Sequence, residues 1–183
     1  MGKVSWQTAM SLDGFVAGPD DAMDWMTGDR SGEGGGFDEL VASIGALVVG
    51  RRTQDVEDAN QPGFYGGAYR GPFFVLRHDP PPDAPIVKGV TGRFLDAPIT
   101  DAIALAKDTA GARDVVILGP TVARSVIEAG LLDEIVVFVV PVLLGDGVRL
   151  FDRPSGGDLV RLRPIDVRQD GDMTVLRFAT FRD

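Results

Sequence analysis

Val116-Ile117-Leu118-Gly119-Pro120-Thr121-Val122 runs as an apolar strand, breaks at one glycine and restarts with the residues of a helix. A strand that hands over to a helix in this way is the unit from which parallel α/β sheets are built. The same alternation extends outward in both directions. Upstream, Ile99 to Ala110 reads as an amphipathic helix, with Ile103, Ala104 and Ala106 near one face and Thr100 or Asp101 as its cap. Before it lie strands at Val4 to Met10, Ala46 to Gly50 and Pro72 to Leu76, short strand candidates at Phe15 to Ala17, Ile86-Val87 and Phe94-Leu95, a helix from Phe37 to Ile44, and a short helix that Thr53 can cap. Downstream, Thr121 to Ala129 reads as a helix stopped by Gly130. Ile135 to Val142 is a near-continuous apolar strand of the kind buried on both faces. Leu159 to Val167 and Met173 to Phe181 alternate around Gln169-Asp170-Gly171-Asp172, which predicts a β-hairpin with Asp-Gly in its turn. The expectation is a single α/β domain over residues 1–183: a three-layer sandwich around a mixed, mostly parallel sheet that closes with an antiparallel hairpin.

Composition narrows the chemistry. The 183 residues are 44% apolar and 25% charged, as in soluble globular proteins. With no cysteine, disulfides and thiolate metal sites are excluded. His78 is the only histidine, so a zinc site built from His and Cys is excluded, and a Ser-His-Asp triad would need that residue. The formal net charge of −9 disfavours nucleic acid and anionic membranes as partners. The residues Met1 to Trp6 show no secretory apolar region, and the longest apolar run, Ile135 to Leu144, is too short to cross a bilayer. A cytoplasmic protein with a small-molecule substrate is the expectation.

Five strand ends carry residues fit for chemistry. Ligands of open α/β sheets sit beyond the carboxyl ends of parallel strands. Asp13, in Ser11-Leu12-Asp13-Gly14, reads either as a carboxylate that binds or protonates a polar substrate or as a plain Asp-Gly turn. Gly50-Arg51-Arg52-Thr53 reads either as a phosphate cradle, with backbone N–H groups, a hydroxyl and cations, or as a capped helix with solvated arginines. Leu76-Arg77-His78 would add cations at the same edge. At Leu118-Gly119-Pro120-Thr121-Val122 the helix start favours an anion, although Pro120 has no N–H, and proline is also common there for structural reasons. Leu144-Gly145-Asp146-Gly147 permits a tight loop near a ligand, or is simply a turn.

Met10-Ser11-Leu12-Asp13-Gly14, Gly50-Arg51-Arg52-Thr53, Val75-Leu76-Arg77-His78 and the tract from Glu128 through Pro141-Val142-Leu143-Leu144-Gly145-Asp146-Gly147 to Leu150-Phe151 stand in one order over nearly the whole chain. In this the sequence resembles the dihydrofolate reductase-like superfamily, and most of all the branch of the C-terminal reductase domain of the bifunctional riboflavin biosynthesis protein. The resemblance implies a central mixed sheet of about eight strands, NADPH as hydride donor, a flat pyrimidine- or pterin-like substrate, and a homodimer. It implies cofactor contacts at Met10, Gly50, Arg51, Arg52, Thr53, Leu76, Arg77, Leu118, Gly119, Pro120, Thr121, Val122 and Gly145. It places Asp13 at the substrate as the catalytic acid or orienting group, with Trp25 and Phe37 as walls, and no metal.

Two departures stand out. The family usually has two adjacent glycines joined by a cis peptide where this chain has Gly119-Pro120. X–Pro is the bond type in which cis is least costly, so a cis Gly119–Pro120 bond is expected. The loop from Gly18 to Gly36 is acidic, with Asp20, Asp21, Asp24, Asp29 and Glu33 against Arg30 alone, which argues against a phosphorylated ribosyl substrate. The rival expectation is a non-catalytic ligand-binding module that kept the fold.

Overall fold

The computed structural model describes residues 2–26, 36–59, 63–152 and 159–181. Its elements, in order, are β1 (Val4–Ser11), β2 (Phe15–Ala17), α1 (Gly36–Ser43), β3 (Ile44–Gly50), α2 (Arg51–Ala59), β4 (Phe73–Leu76), β5 (Ile86–Val87), β6 (Val90–Thr91), β7 (Arg93–Leu95), α3 (Ile99–Ala110), β8 (Asp114–Leu118), α4 (Pro120–Glu128), β9 (Glu134–Val140), β10 (Val148–Arg149), β11 (Leu162–Asp170) and β12 (Met173–Thr180). Eight strands form a mixed, mostly parallel sheet in the order β11-β12-β9-β1-β8-β3-β4-β7, so the expected α/β class is correct. The chain forms two compact units, each assembled from separate stretches: the residues through Trp6 with Phe37–Leu132, and Gln7–Gly36 with Asp133–Asp183.

The first unit is the parallel part. β1 pairs with β8, β8 with β3, β3 with β4, and β4 with β7, all parallel. Its strands are continuous apolar runs because both faces are covered; Ala46, Leu47, Val48 and Val49 are all fully buried. Ile44, Leu47, Val49, Phe73, Val75 and Val116 form one core cluster. Each such side chain contributes roughly 1.5–3 kcal/mol by leaving water. Phe64 meets Phe73 edge to face, at 5.1 Å between centroids. Gly45 lets β3 approach α3, since a β-carbon there would lie 2.6 Å from that of Ala110.

The second unit is antiparallel: β12 pairs with both β11 and β9. The small pair β10–β2 belongs to it as well. Glu134 of β9, buried beside a strand of valines, accepts two hydrogen bonds from the Arg177 guanidinium of β12, at 2.6 and 2.9 Å.

Several local expectations need correction. Ile44 opens β3 instead of closing α1, because it is fully buried and paired with Asp114. Thr53 lies inside α2, which starts directly at Arg51, so it is no cap. Pro98 occupies the cap position of α3, and Thr100 and Asp101 fall in its first turn. Ala104 faces solvent, and the buried stripe of α3 is Ala102, Ile103, Ala106 and Ala110. β9 stops at Val140, one residue before Pro141, which has no N–H for the ladder. The terminal hairpin turns on Gly171-Asp172, since Asp170 still pairs with Met173 and Gly171 takes φ +57°.

Candidate functional site

The parallel register of the first unit brings three strand ends to one edge. Gly50 stands opposite Leu76, and Val49 opposite Leu118. Two helices start at that edge, α2 immediately after Gly50 and α4 immediately after Gly119. Their first-turn amides have no partner within the helix, so both starts favour an anion. In α4 the first helical bond runs from the Ala123 N–H to the Gly119 carbonyl at 3.2 Å, which leaves Thr121 and Val122 to head the helix. Pro120 at the first position removes only one donor.

The two helix starts touch. A β-carbon on Gly50 would sit 3.4 Å from Val122 Cγ2, and one on Gly119 would overlap the Thr53 hydroxyl oxygen. Thus Gly50, Thr53, Gly119 and Val122, chosen separately from the sequence, meet in space. The expected cis bond is not there: the Gly119–Pro120 peptide is trans. Gly119 itself makes the sharp turn, at φ +90° and ψ 138°, a conformation that side chains rarely allow.

The cations line this edge in different states. The Arg51 guanidinium reaches Asp55 at 3.2 Å along the helix surface, with both side chains more than half exposed. Arg77 lies with its guanidinium 5.8 Å from the centre of the Phe94 ring. Its backbone N–H donates to Leu95, which continues the strand pairing. His78 is fully exposed and 3.1 Å from Asp96. Phe37, expected as a substrate wall, stacks in a tilted pair with Tyr65, 6.2 Å between centroids.

In the second unit Asp13 stands at the turn between β1 and β2. Its Oδ1 accepts from the Ser11 hydroxyl at 2.6 Å and from the Leu144 N–H at 3.1 Å. Its Oδ2 accepts from the same Leu144 N–H at 3.1 Å and from the Gly145 N–H at 2.7 Å. The Ser11 hydroxyl, then the Gly145 amide, hold the carboxyl down at about 2, and the smaller opposing effect of desolvation does not cancel them. Asp13 is therefore ionised at neutral pH. The roles of Ser11 and Leu144 are not evident from the sequence, where the Ser-x-Asp spacing is the one local signal. Trp25, also in this unit, is partly buried and donates its indole N–H to the Ala22 carbonyl at 3.1 Å. No helix among the described residues is long and apolar enough to cross a membrane.

Parallel strand ends followed directly by helix starts define an α/β domain, and comparison with known proteins specifies which. The chain belongs to the RibD C-terminal domain family, whose model matches residues 2–68 and 76–176. It is 26% identical to the Bacillus subtilis (strain 168) protein YwjB over 157 residues, which cover 85% of this chain and 86% of that one. The crystal structure of a putative riboflavin biosynthesis protein from Shewanella sp. PV-4 is similar with a TM-score of 0.77 at 25% identity, covering 98% of this chain and 99% of that chain. A Thermotoga maritima diaminohydroxyphosphoribosylaminopyrimidine deaminase/5-amino-6-(5-phosphoribosylamino)uracil reductase shares the fold, with a TM-score of 0.72 at 12% identity over 98% of this chain and 57% of that one.

Proposed function

We propose that the chain, acting as one domain, is a cytoplasmic NADPH-dependent reductase of a small pyrimidine- or pterin-like heterocycle. The observation that carries this is the meeting of Gly50, Thr53, Gly119 and Val122 at the carboxyl edge of parallel strands, between two helix starts. The residues fit the phosphates of a dinucleotide. Gly50 and Gly119 at the strand ends, first-turn amides and nearby Arg51, Arg52 and Arg77 supply N–H donors and positive charge. In this reading Leu76, Leu118, Pro120 and Thr121 complete the cradle. When bound, NADPH supplies the hydride.

On the second unit, Asp13 is a fixed carboxylate that orients its neighbours Ser11, Leu144 and Gly145. Its ionised state leaves no proton on it to give at neutral pH. In this reading Met10 and Gly145 are cofactor residues, and Trp25 and Phe37 are substrate residues. The chain forms a homodimer. Exposed Ile165 and Val167 on the edge strand β11 support an apolar contact with a second copy.

Titration with NADPH and NADH tests the proposal: NADPH binds more tightly, and a pterin or pyrimidine from a substrate panel accelerates its oxidation. A second reading, a ligand-binding module without turnover, is favoured by Pro120, which takes one N–H from the start of α4. Binding of NADPH with no oxidation across the whole panel would select it.

A further inference from the structure

The Leu144–Gly147 turn is fastened to the β1–β2 turn at every level. The Leu12 N–H donates to the Val142 carbonyl at 2.9 Å, and the Leu150 N–H to the Gly14 carbonyl at 2.9 Å. β10 pairs with β2. A β-carbon on Gly147 would overlap the Ala17 carbonyl oxygen, so the two backbones are in direct contact. Asp13 sits at the centre of these links. The Phe15 N–H donates to the Ser11 hydroxyl at 2.9 Å, which orients that hydroxyl toward Asp13.

A carboxylate has about four lone-pair sites. Three donors reach Asp13: the Ser11 hydroxyl on Oδ1, the Gly145 N–H on Oδ2, and one Leu144 N–H shared by both oxygens. The geometry points to Asp13 as a positioning residue: its carboxylate holds the Leu144–Gly145 turn in the conformation that receives the ligand. Gly145 then acts toward the ligand by shape, since its N–H is turned inward to Asp13. This inference rests on the reductase reading in its choice of NADPH as the ligand.

Asn is the discriminating substitution. In D13N the side-chain oxygen in place of Oδ2 still accepts from Leu144 and Gly145, and the NH₂ in place of Oδ1 donates to a Ser11 hydroxyl that keeps its bond from Phe15 but loses the Leu144 contact. Most of the latch survives without a titratable group. D13A removes it. The experiment measures NADPH affinity of the full chain and hydrogen exchange of the Leu144 and Gly145 amides in wild type, D13N, D13A and S11A. Expected is near-wild-type behaviour for D13N, with D13A losing roughly tenfold in NADPH affinity and in protection of both amides, and S11A a smaller part of each. Equal losses in D13N and D13A would show that the charge, not the latch, matters, and no loss in either would remove the role altogether. If wild type fails to bind NADPH, the reductase reading fails, and the amide protection still decides the latch.

Discussion

A β-carbon on Gly119 would overlap the hydroxyl oxygen of Thr53. The start of α4 therefore rests on the first turn of α2, and glycine is required twice over, by this contact and by φ +90°. Gly119→Ala is expected to destabilise the chain by about 2 kcal/mol, from strain of about 1–3 kcal/mol at this backbone conformation together with the overlap. Adding Thr53→Ala relieves only the overlap and recovers only part of the loss. Urea midpoints of the two variants check this; full recovery in the double variant would contradict it.

Arg51 is engaged by Asp55 at the surface of α2. Under the reductase reading, NADPH must compete for that guanidinium. Asp55→Asn is expected to tighten NADPH binding by roughly twofold, the scale of an exposed helical ion pair, with a smaller effect at high salt. Calorimetric titration at two salt concentrations measures it.

Arg77 lies by Phe94, at the carboxyl end of the β4 pairing. Arg77→Ala is expected to cost roughly tenfold in NADPH affinity if a charge-assisted contact is lost, and much less in NADH affinity. Equal losses for both cofactors would remove Arg77 from discrimination between them.

Asp13 has its pKa lowered from the ordinary 3.8 to about 2, first of all by the Ser11 hydroxyl. A folded pKa below the unfolded one stabilises the fold above pH 3.8, and that contribution disappears as pH falls from 3.8 through about 2. Ser11→Ala removes the largest cause, so its Asp13 pKa rises and acid unfolding begins at higher pH. Carboxyl-carbon NMR titration reads the shift directly; an unchanged midpoint in S11A would refute the assignment.

Buried Glu134 holds Arg177 across two strands. Arg177→Met removes the guanidinium that two hydrogen bonds join to a buried carboxylate and is expected to cost about 3 kcal/mol, whereas the double variant E134Q/R177M costs less because the charge goes too. Thermal unfolding of the pair of variants gives the comparison.

Much of this was legible because parallel sheets write themselves in apolar runs. β3, β8 and β9 have few polar interruptions, and the glycines after two of them mark the strand ends that the register then aligns. Element boundaries were less legible where tertiary contacts override local signals. Ile44 fits the helical spacing of α1, yet burial beside Asp114 assigns it to β3. Thr53 looks like a cap because capping is a local property, but its position is fixed by Gly119, distant in sequence. The cis proline was inferred from a family habit; a single left-handed glycine achieves the turn without it. Asp13 was identified from its place after β1, but its partners at 144 and 145 lie far along the chain and no local pattern announces them.

The pairing of Val4 with Val115 carries a consequence for the birth of the protein. Strand β1 finds β8 only after about 110 further residues have been made (115 − 4 = 111). At about 5–20 residues per second, that is a delay on the order of 10 s. During that time the apolar segment around Trp6 has no native shelter. It is therefore the stretch on which nascent-chain chaperones are expected to act, and the edge along which premature association during synthesis begins.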